Sequence, residues 1–178
     1  MARLAYADTS QPDHAGLVQD ILEQRGEVPH LYRMLLHAPA VTAGWLHHLT
    51  NVRQQTRLPG LLRELVIIRI ALLNNAPYEA EQHAPIARKE GVTEAQLQAL
   101  ADWPAADVFD DVQRAVLAYT DAMTRQIQVP DTVFADVRRV FDDQGIVELT
   151  AAIATYNMVS RFLEALEIHS TDQVEPGG

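Results

Sequence analysis

Apolar residues recur along this chain at spacings of three and four positions, the period of an α-helix, and no segment shows the strict alternation of a half-buried strand. Glycine, proline and polar clusters separate the helical segments. The pattern therefore predicts an all-α fold. Its predicted helices cover residues 15–25, 30–37, 40–55, 61–75, 79–90, 93–100, 110–125, 131–141 and 146–167.

The segment from Leu61 to Asn75 differs from the other predicted helices because it is apolar on nearly every side. It is longer than a usual strand, and a helix of this kind lies in the middle of a fold. In the preceding helix, Val41, Trp45 and Leu49 recur every four residues and predict its buried face. We therefore expect one surface helix with a single core face, followed by a central helix.

Several helix ends carry recognisable signals. Gly26 and Gly91 stand where helices usually end in a left-handed residue, and Thr93 is the expected N-cap of the next helix. Gln144 and Gly145 predict a turn before the last helix. Residues 170–178 are expected to form a disordered tail.

Composition excludes several functions. The 178 residues include no cysteine, which rules out disulfides, thiolate zinc sites and thiol redox catalysis. The net charge of −10 disfavours binding to nucleic acid or to anionic membranes. No apolar run approaches the roughly 20 residues of a membrane-spanning helix, and residues 1–14 lack the pattern of a signal peptide. A cytoplasmic location is the resulting expectation.

Three ionisable residues are the candidate catalytic groups. Glu64 shares a helix face with apolar residues, so burial should raise its proton affinity unless a nearby cation compensates. Glu79 and His83 are four residues apart and share one helix face, where a carboxylate can fix the imidazole tautomer. The alternatives are a solvated first-turn glutamate and an ordinary surface pair. Tyr78 adjoins the pair and could contact a substrate or simply pack.

A second polar set lies in the last predicted helix. Arg161 could bind an anionic substrate group, or it could make a salt bridge between subunits. Glu148 and Asn157 in that helix echo Glu64 and Asn74 in the central helix, which suggests a duplicated helical hairpin or a coincidence of composition. A metal bound by the carboxylates and the imidazole is chemically possible, but the chain has no second histidine at ligand spacing, and no metal or cofactor is predicted.

Three short motifs occur in order: Leu61-Leu-Arg-Glu-Leu, then Tyr78-Glu-Ala-Glu-Gln-His, then Gly91-Val-Thr. Together they resemble the carboxymuconolactone decarboxylase family, which includes the AhpD-type alkylhydroperoxidases. The resemblance covers roughly residues 59–100 as the core of a single domain. Residues 1–58 would then be an N-terminal helical extension, and residues 107–168 a C-terminal helical half.

The resemblance carries specific expectations for the site. In AhpD-like members a glutamate and a histidine accompany two cysteines, and these positions fall on Glu64, His83, Ala76 and Glu79. The proton-relay residues are present and both sulfurs are missing, so thiol peroxidase activity is not expected. The decarboxylase branch works without thiols or a cofactor. The resemblance therefore implies a proton-transfer lyase or isomerase that acts on a small lactone or carboxylate.

The sequence leaves a non-enzymatic role open. A member of this family without cysteines could keep the fold, bind a small ligand or a partner protein, and catalyse nothing. Family members assemble as dimers, trimers or hexamers, so a homo-oligomer is expected in either case.

Overall fold

The computed structural model describes residues 1–174, and all regular structure within this range is helical. Short 3₁₀ segments cover Pro12–His14 and Leu100–Ala105. The predicted all-α class is confirmed. The nine α-helices are α1 (Ala15–Arg25), α2 (His30–Leu35), α3 (Pro39–Gln54), α4 (Gly60–Leu73), α5 (Pro77–Lys89), α6 (Glu94–Ala99), α7 (Asp111–Gln126), α8 (Asp131–Val140) and α9 (Asp143–Ala165).

The chain divides into two compact units. The first comprises residues 1–55 together with the stretch that begins at Leu163, and the second runs from Thr56 to Phe162. In the first unit, α1 and α2 both pack against α3. The large side chains that are fully buried there include Ile21, Leu35 and Leu36.

The buried face of α3 differs from the predicted one. Leu49 is buried as expected, but Val41 is 46% exposed, and the buried residues are Thr42, Leu46, Leu49 and Val52. Thr42 can be buried because its hydroxyl donates to the carbonyl of Leu35 at 2.6 Å. Counting apolar residues could not reveal this, because the hydrogen bond removes the cost of burying a polar side chain.

The prediction of a disordered tail is wrong for residues 170–174. In the first unit, the Tyr6 hydroxyl donates to Asp172 Oδ2 at 2.7 Å, and the backbone N–H of His169 donates to the same oxygen at 3.1 Å. A carboxylate with two donors holds this segment in a defined turn. Residues 175–178 lie outside the described part of the chain.

Helix α4 is the central element of the second unit, as the sequence predicts. Every residue from Leu62 to Ala71 is buried, and α4 packs most extensively against α5 and α7. Its one arginine on the α7 side, Arg69, forms a bidentate ion pair with Asp121, with Nε–Oδ1 and NH2–Oδ2 distances of 2.7 and 2.6 Å. A carboxylate partner is what allows a charged side chain to lie in this core.

The helix ends are largely as predicted. Gly91 has a φ of +97°, and Thr93 forms a capping box with Gln96 at the start of α6. The predicted turn at Gln144 and Gly145 is wrong, because both residues lie in the first turn of α9. Asp142 accepts the backbone N–H of Gly145 at 2.8 Å and so satisfies a donor at the beginning of that helix.

The echo between α4 and α9 has unequal counterparts in the second unit. Asn74 donates to Asn157 Oδ1 at 3.1 Å, so the two asparagines are in contact. Glu64 is fully buried, whereas Glu148 is half-buried and accepts the backbone N–H of Arg57. Duplication of a hairpin stays a prediction. Within residues 1–174, every helix is too short or too polar to traverse a bilayer.

Candidate active site

Helices α4 and α5 form an antiparallel hairpin that positions the candidate groups. Three residues connect the helices, and the backbone N–H of Ala76 donates to the carbonyl of Ala71 at 2.8 Å at the closed end. Glu64 comes from the second turn of α4, and Glu79 and His83 come from the first two turns of α5. Residues distant in sequence therefore meet on the inner surface of one hairpin.

The imidazole of His83 lies between two carboxylates. Its Nδ1 is 2.6 Å from Glu64 Oε2, and its Nε2 is 3.3 Å from Glu79 Oε1. Glu64, Glu79 and His83 are 0%, 4% and 6% exposed. The interpretations of Glu64 as a solvated first-turn residue and of Glu79–His83 as a surface pair are therefore excluded.

The second oxygen of Glu64 contacts its sequence neighbour. Arg63 Nε donates to Glu64 Oε1 at 3.1 Å, and Arg63 NH2 is 3.3 Å from Glu90 Oε1. Arg63 is buried. Sequence reasoning missed this residue, because consecutive side chains on a helix usually point in different directions.

An aromatic side chain from α9 completes the surroundings of His83. The ring of Tyr156 lies 5.3 Å from the imidazole, centroid to centroid, at an interplanar angle of 87°. This is the edge-to-face geometry that aromatic rings favour. Tyr156 was grouped with the second polar set in the sequence, and only the packing of α9 brings it to His83.

The two predicted substrate contacts have different surroundings. Tyr78 is buried in the first turn of α5, next to Glu79. Arg161 is exposed on α9, and its NH1 donates to the carbonyl of Asn157 at 3.3 Å. Tyr78 is thus on the hairpin that carries the site, whereas Arg161 has a recorded contact only within its own helix.

The charge states of the pair follow from competing effects. Burial alone lowers the pKa of His83, but its hydrogen bonds to Glu64 and Glu79, and their charges, raise that pKa from 6.5 to about 8. Burial alone raises the pKa of Glu64, yet His83 and Arg63 hold it below its ordinary 4.5. The compensating cation considered in the sequence is present. At neutral pH the pair is a carboxylate and an imidazolium.

The donor atoms are poorly arranged for a metal ion. Glu64 and Glu79 contact opposite nitrogens of one imidazole, so the three groups do not converge on a common point. Among residues 1–174 no group of three or more histidine, aspartate or glutamate side chains is placed to hold a metal. The arrangement is suited to transferring a proton along the line of carboxylate, imidazole and carboxylate.

The two positions that carry cysteines in AhpD-like proteins lie one turn apart at the start of α5. Ala76 is the N-cap residue and is buried, and Glu79 follows in the first turn. Neither side chain can be oxidised as a thiol can. A carboxylate therefore occupies one of these positions and contacts the imidazole directly.

Comparison with known proteins agrees with this geometry. Residues 39–122 match the model of the carboxymuconolactone decarboxylase family. The predicted family resemblance is confirmed. This family region contains α4, α5 and all three candidate catalytic residues.

One curated relative aligns with most of the chain. The uncharacterized protein YnjA of Escherichia coli (strain K12) is 28% identical over 157 residues, which are 87% of this chain and 81% of YnjA. This similarity extends well beyond the family region.

Solved structures show the same fold at low identity. The alkylhydroperoxidase AhpD core of an uncharacterized peroxidase-related protein from Ralstonia eutropha JMP134 superimposes with a TM-score of 0.81 and 18% identity, covering 96% of this chain and 93% of that one. The debrominase Bmp8 in complex with 2,3,4-tribromopyrrole gives 0.79 and 17%, covering 99% and 94%. The fold is therefore AhpD-like.

Proposed function

We propose that this protein is a cofactor-independent proton-transfer lyase or isomerase that acts on a small lactone or carboxylate. The observation that carries the proposal is the clamping of His83 between Glu64 and Glu79, at 2.6 and 3.3 Å. A buried imidazolium between two carboxylates can release and recover a proton near neutral pH.

The two contacts of His83 suggest different roles for the carboxylates. The short contact joins Nδ1 to Glu64, whose other oxygen already binds Arg63, so Glu64 is suited to orienting the ring and balancing its charge. The longer contact joins Nε2 to Glu79 and is the easier one for a substrate to displace. Nε2–H is therefore the proton donor, and Glu79 is the group that accepts or returns a proton beside it.

These roles account for a decarboxylation in balanced steps. The bond between the substrate carbon and its carboxylate breaks, carbon dioxide leaves, and the electron pair is delocalised into the lactone carbonyl as an enolate. His83 Nε2–H protonates the carbon, and the neutral imidazole regains a proton from water. For an isomerisation, Glu79 would remove a proton from carbon and His83 would deliver one to another carbon of the same enolate.

Two further observations support this class of reaction. The chain has no cysteine, so a peroxidase cycle that depends on thiols has no sulfur to oxidise. The complex of the debrominase Bmp8 with 2,3,4-tribromopyrrole indicates that a protein of this fold can hold a small cyclic molecule. Tyr78 on the hairpin and the exposed Arg161 remain the candidates for substrate contacts.

The test is an assay of decarboxylation and lactone isomerisation on a panel of small γ-lactones and carboxylates. We expect Glu64→Gln, Glu79→Gln and His83→Ala each to lower kcat by about 100-fold or more, the range of general acid–base catalysis. Glu81→Gln is the matched control, because Glu81 is exposed on α5 and should be dispensable. Wild-type activity that survives all three site substitutions would refute the proposal.

A catalytically silent scaffold is the second candidate, and the near-complete burial of the three residues favours it. Glu64 and His83 would then be a structural hydrogen-bond pair that supports binding of a ligand or partner. In that case Glu64→Gln and His83→Ala would lower the melting temperature markedly, while the wild-type protein would turn over no member of the panel. The homo-oligomer stays a prediction, which light scattering would test.

A further inference from the structure

We propose that Arg63 is a positioning residue, held by Glu90 above Gly60, which fixes the second oxygen of Glu64 and thereby orients His83. This inference rests on the proposed function, since it describes how the proton-transfer pair is held. Neither the family comparison nor the sequence motifs assign a role to Arg63, Glu90 or Gly60.

The first argument is that Arg63 and Glu64 are consecutive residues. On a helix such side chains point about 100° apart, so an ion pair between them requires a force that bends one side chain back. Glu90 supplies it, because its Oε1 lies 3.3 Å from Arg63 NH2 while Arg63 Nε remains 3.1 Å from Glu64 Oε1. The guanidinium thus bridges two carboxylates.

The second argument is steric. The carboxylate of Glu90 occupies the space where residue 60 would carry a Cβ, and an alanine there would overlap with Glu90 Oε2 and its carboxyl carbon. Gly60 is the first residue of α4, where unpaired backbone N–H groups attract an anion. A glycine at this position is therefore needed for Glu90 to reach Arg63.

The third argument concerns how Glu90 is anchored. It directly follows α5, and Gly91 has a φ of +97°, which lets the backbone N–H of Val92 donate to the carbonyl of Ala87 at 2.9 Å. The end of α5 is fixed against the start of α4. Glu90 is thereby held at one end of the hairpin whose middle carries Glu64 and His83.

These contacts form one line of alternating charge. Glu90 is 41% exposed on its side chain, Arg63 is buried beneath it, and Glu64, His83 and Glu79 follow inward. Arginine does not exchange protons near neutral pH, so the outer part of the line positions and charges the site and carries no proton itself. The groups recorded in contact with His83 are Glu64, Glu79 and Tyr156.

The experiment is an NMR titration of the His83 ring in the full chain with ¹⁵N-labelled histidine. Arg63→Met removes a cation next to Glu64, so His83 should titrate about one pH unit higher than in the wild type. Glu90→Gln and Gly60→Ala both take a negative charge away from Arg63, so His83 should titrate lower, by a smaller shift because Glu90 is partly exposed. Arg63→Lys retains the charge and should restore the titration.

The control is Arg88→Met, which removes an exposed arginine that pairs with Glu94 at the end of the same helix and should leave the His83 titration unchanged. Wild-type titration in a folded Arg63→Met variant would overturn the inference. If that variant fails to fold, unchanged titration in both Glu90→Gln and Gly60→Ala overturns it. The titration needs no substrate, so absence of turnover would refute the proposed function without affecting this result.

Discussion

The elevated pKa of His83 has a direct consequence for stability. The pKa of this side chain is about 8 in the folded protein, against an ordinary value of 6.5. The folded state therefore holds the proton more tightly than the unfolded state does. The resulting stabilisation is fully present below pH 6.5 and is lost as the pH rises through 8. A difference of roughly 1.5 pH units corresponds to about 2 kcal/mol.

The perturbation that isolates this contribution is His83→Gln. Free energies of unfolding are measured by urea denaturation between pH 6 and 9 for the wild type and the variant. The advantage of the wild type over the variant should shrink by about 2 kcal/mol across this range. Glu64 contributes little to the change, because its lowered pKa places its titration below pH 4.5.

The matched control is His48→Gln, which replaces an exposed imidazole of α3. Its stability should follow that of the wild type at every pH. Parallel curves for the wild type and His83→Gln would refute the reasoning, because they would mean that folding does not change the proton affinity of His83.

Three further changes test the packing of the fold. Arg69→Met leaves the partly buried Asp121 without its cation and should cost about 3 kcal/mol in urea denaturation. Ile127→Gly should raise the free energy of unfolding by about 1 kcal/mol, since this 83% exposed β-branched residue has a φ of +67°. Thr93→Ala removes the capping box of α6 and should lower the melting temperature, at a cost of about 1 kcal/mol.

The helices could be predicted from the sequence because each one follows from local spacing. The all-round apolar pattern of residues 61–75 identified the central helix, and Gly91 and Thr93 marked the end of one helix and the start of another. The beginning of α9 had a usable signal that was missed. Asp142 is a good N-cap residue three positions before Gly145, and it outweighed the turn tendency of the glycine.

The buried face of α3 was beyond sequence reasoning for a different reason. Two faces one residue apart differ in whether Val41 or Thr42 is buried, and apolar spacing favours the valine. The carbonyl of Leu35 decides the outcome by accepting the threonine hydroxyl. Such a contact depends on how α2 ends and packs, which the pattern within α3 does not contain.

The site shows the same division between local and tertiary information. The spacing of Glu79 and His83 on one helix face was readable, and the family resemblance added Glu64. Arg63, Glu90 and Tyr156 were not identified, because their contacts arise only when the ends of α4 and α5 meet and α9 packs on them. The charge state of Glu64 depended on those contacts as well.

The central claim is that this cluster of residues transfers protons to and from carbon. The most direct measurement is deuterium incorporation into carbon positions of small γ-lactones and carboxylates, followed by NMR in D₂O with wild-type protein, His83→Ala and Glu81→Gln. The account predicts catalysed incorporation by the wild type and Glu81→Gln, and its loss in His83→Ala. Incorporation at equal rates in all three samples, or in none of them, would contradict it.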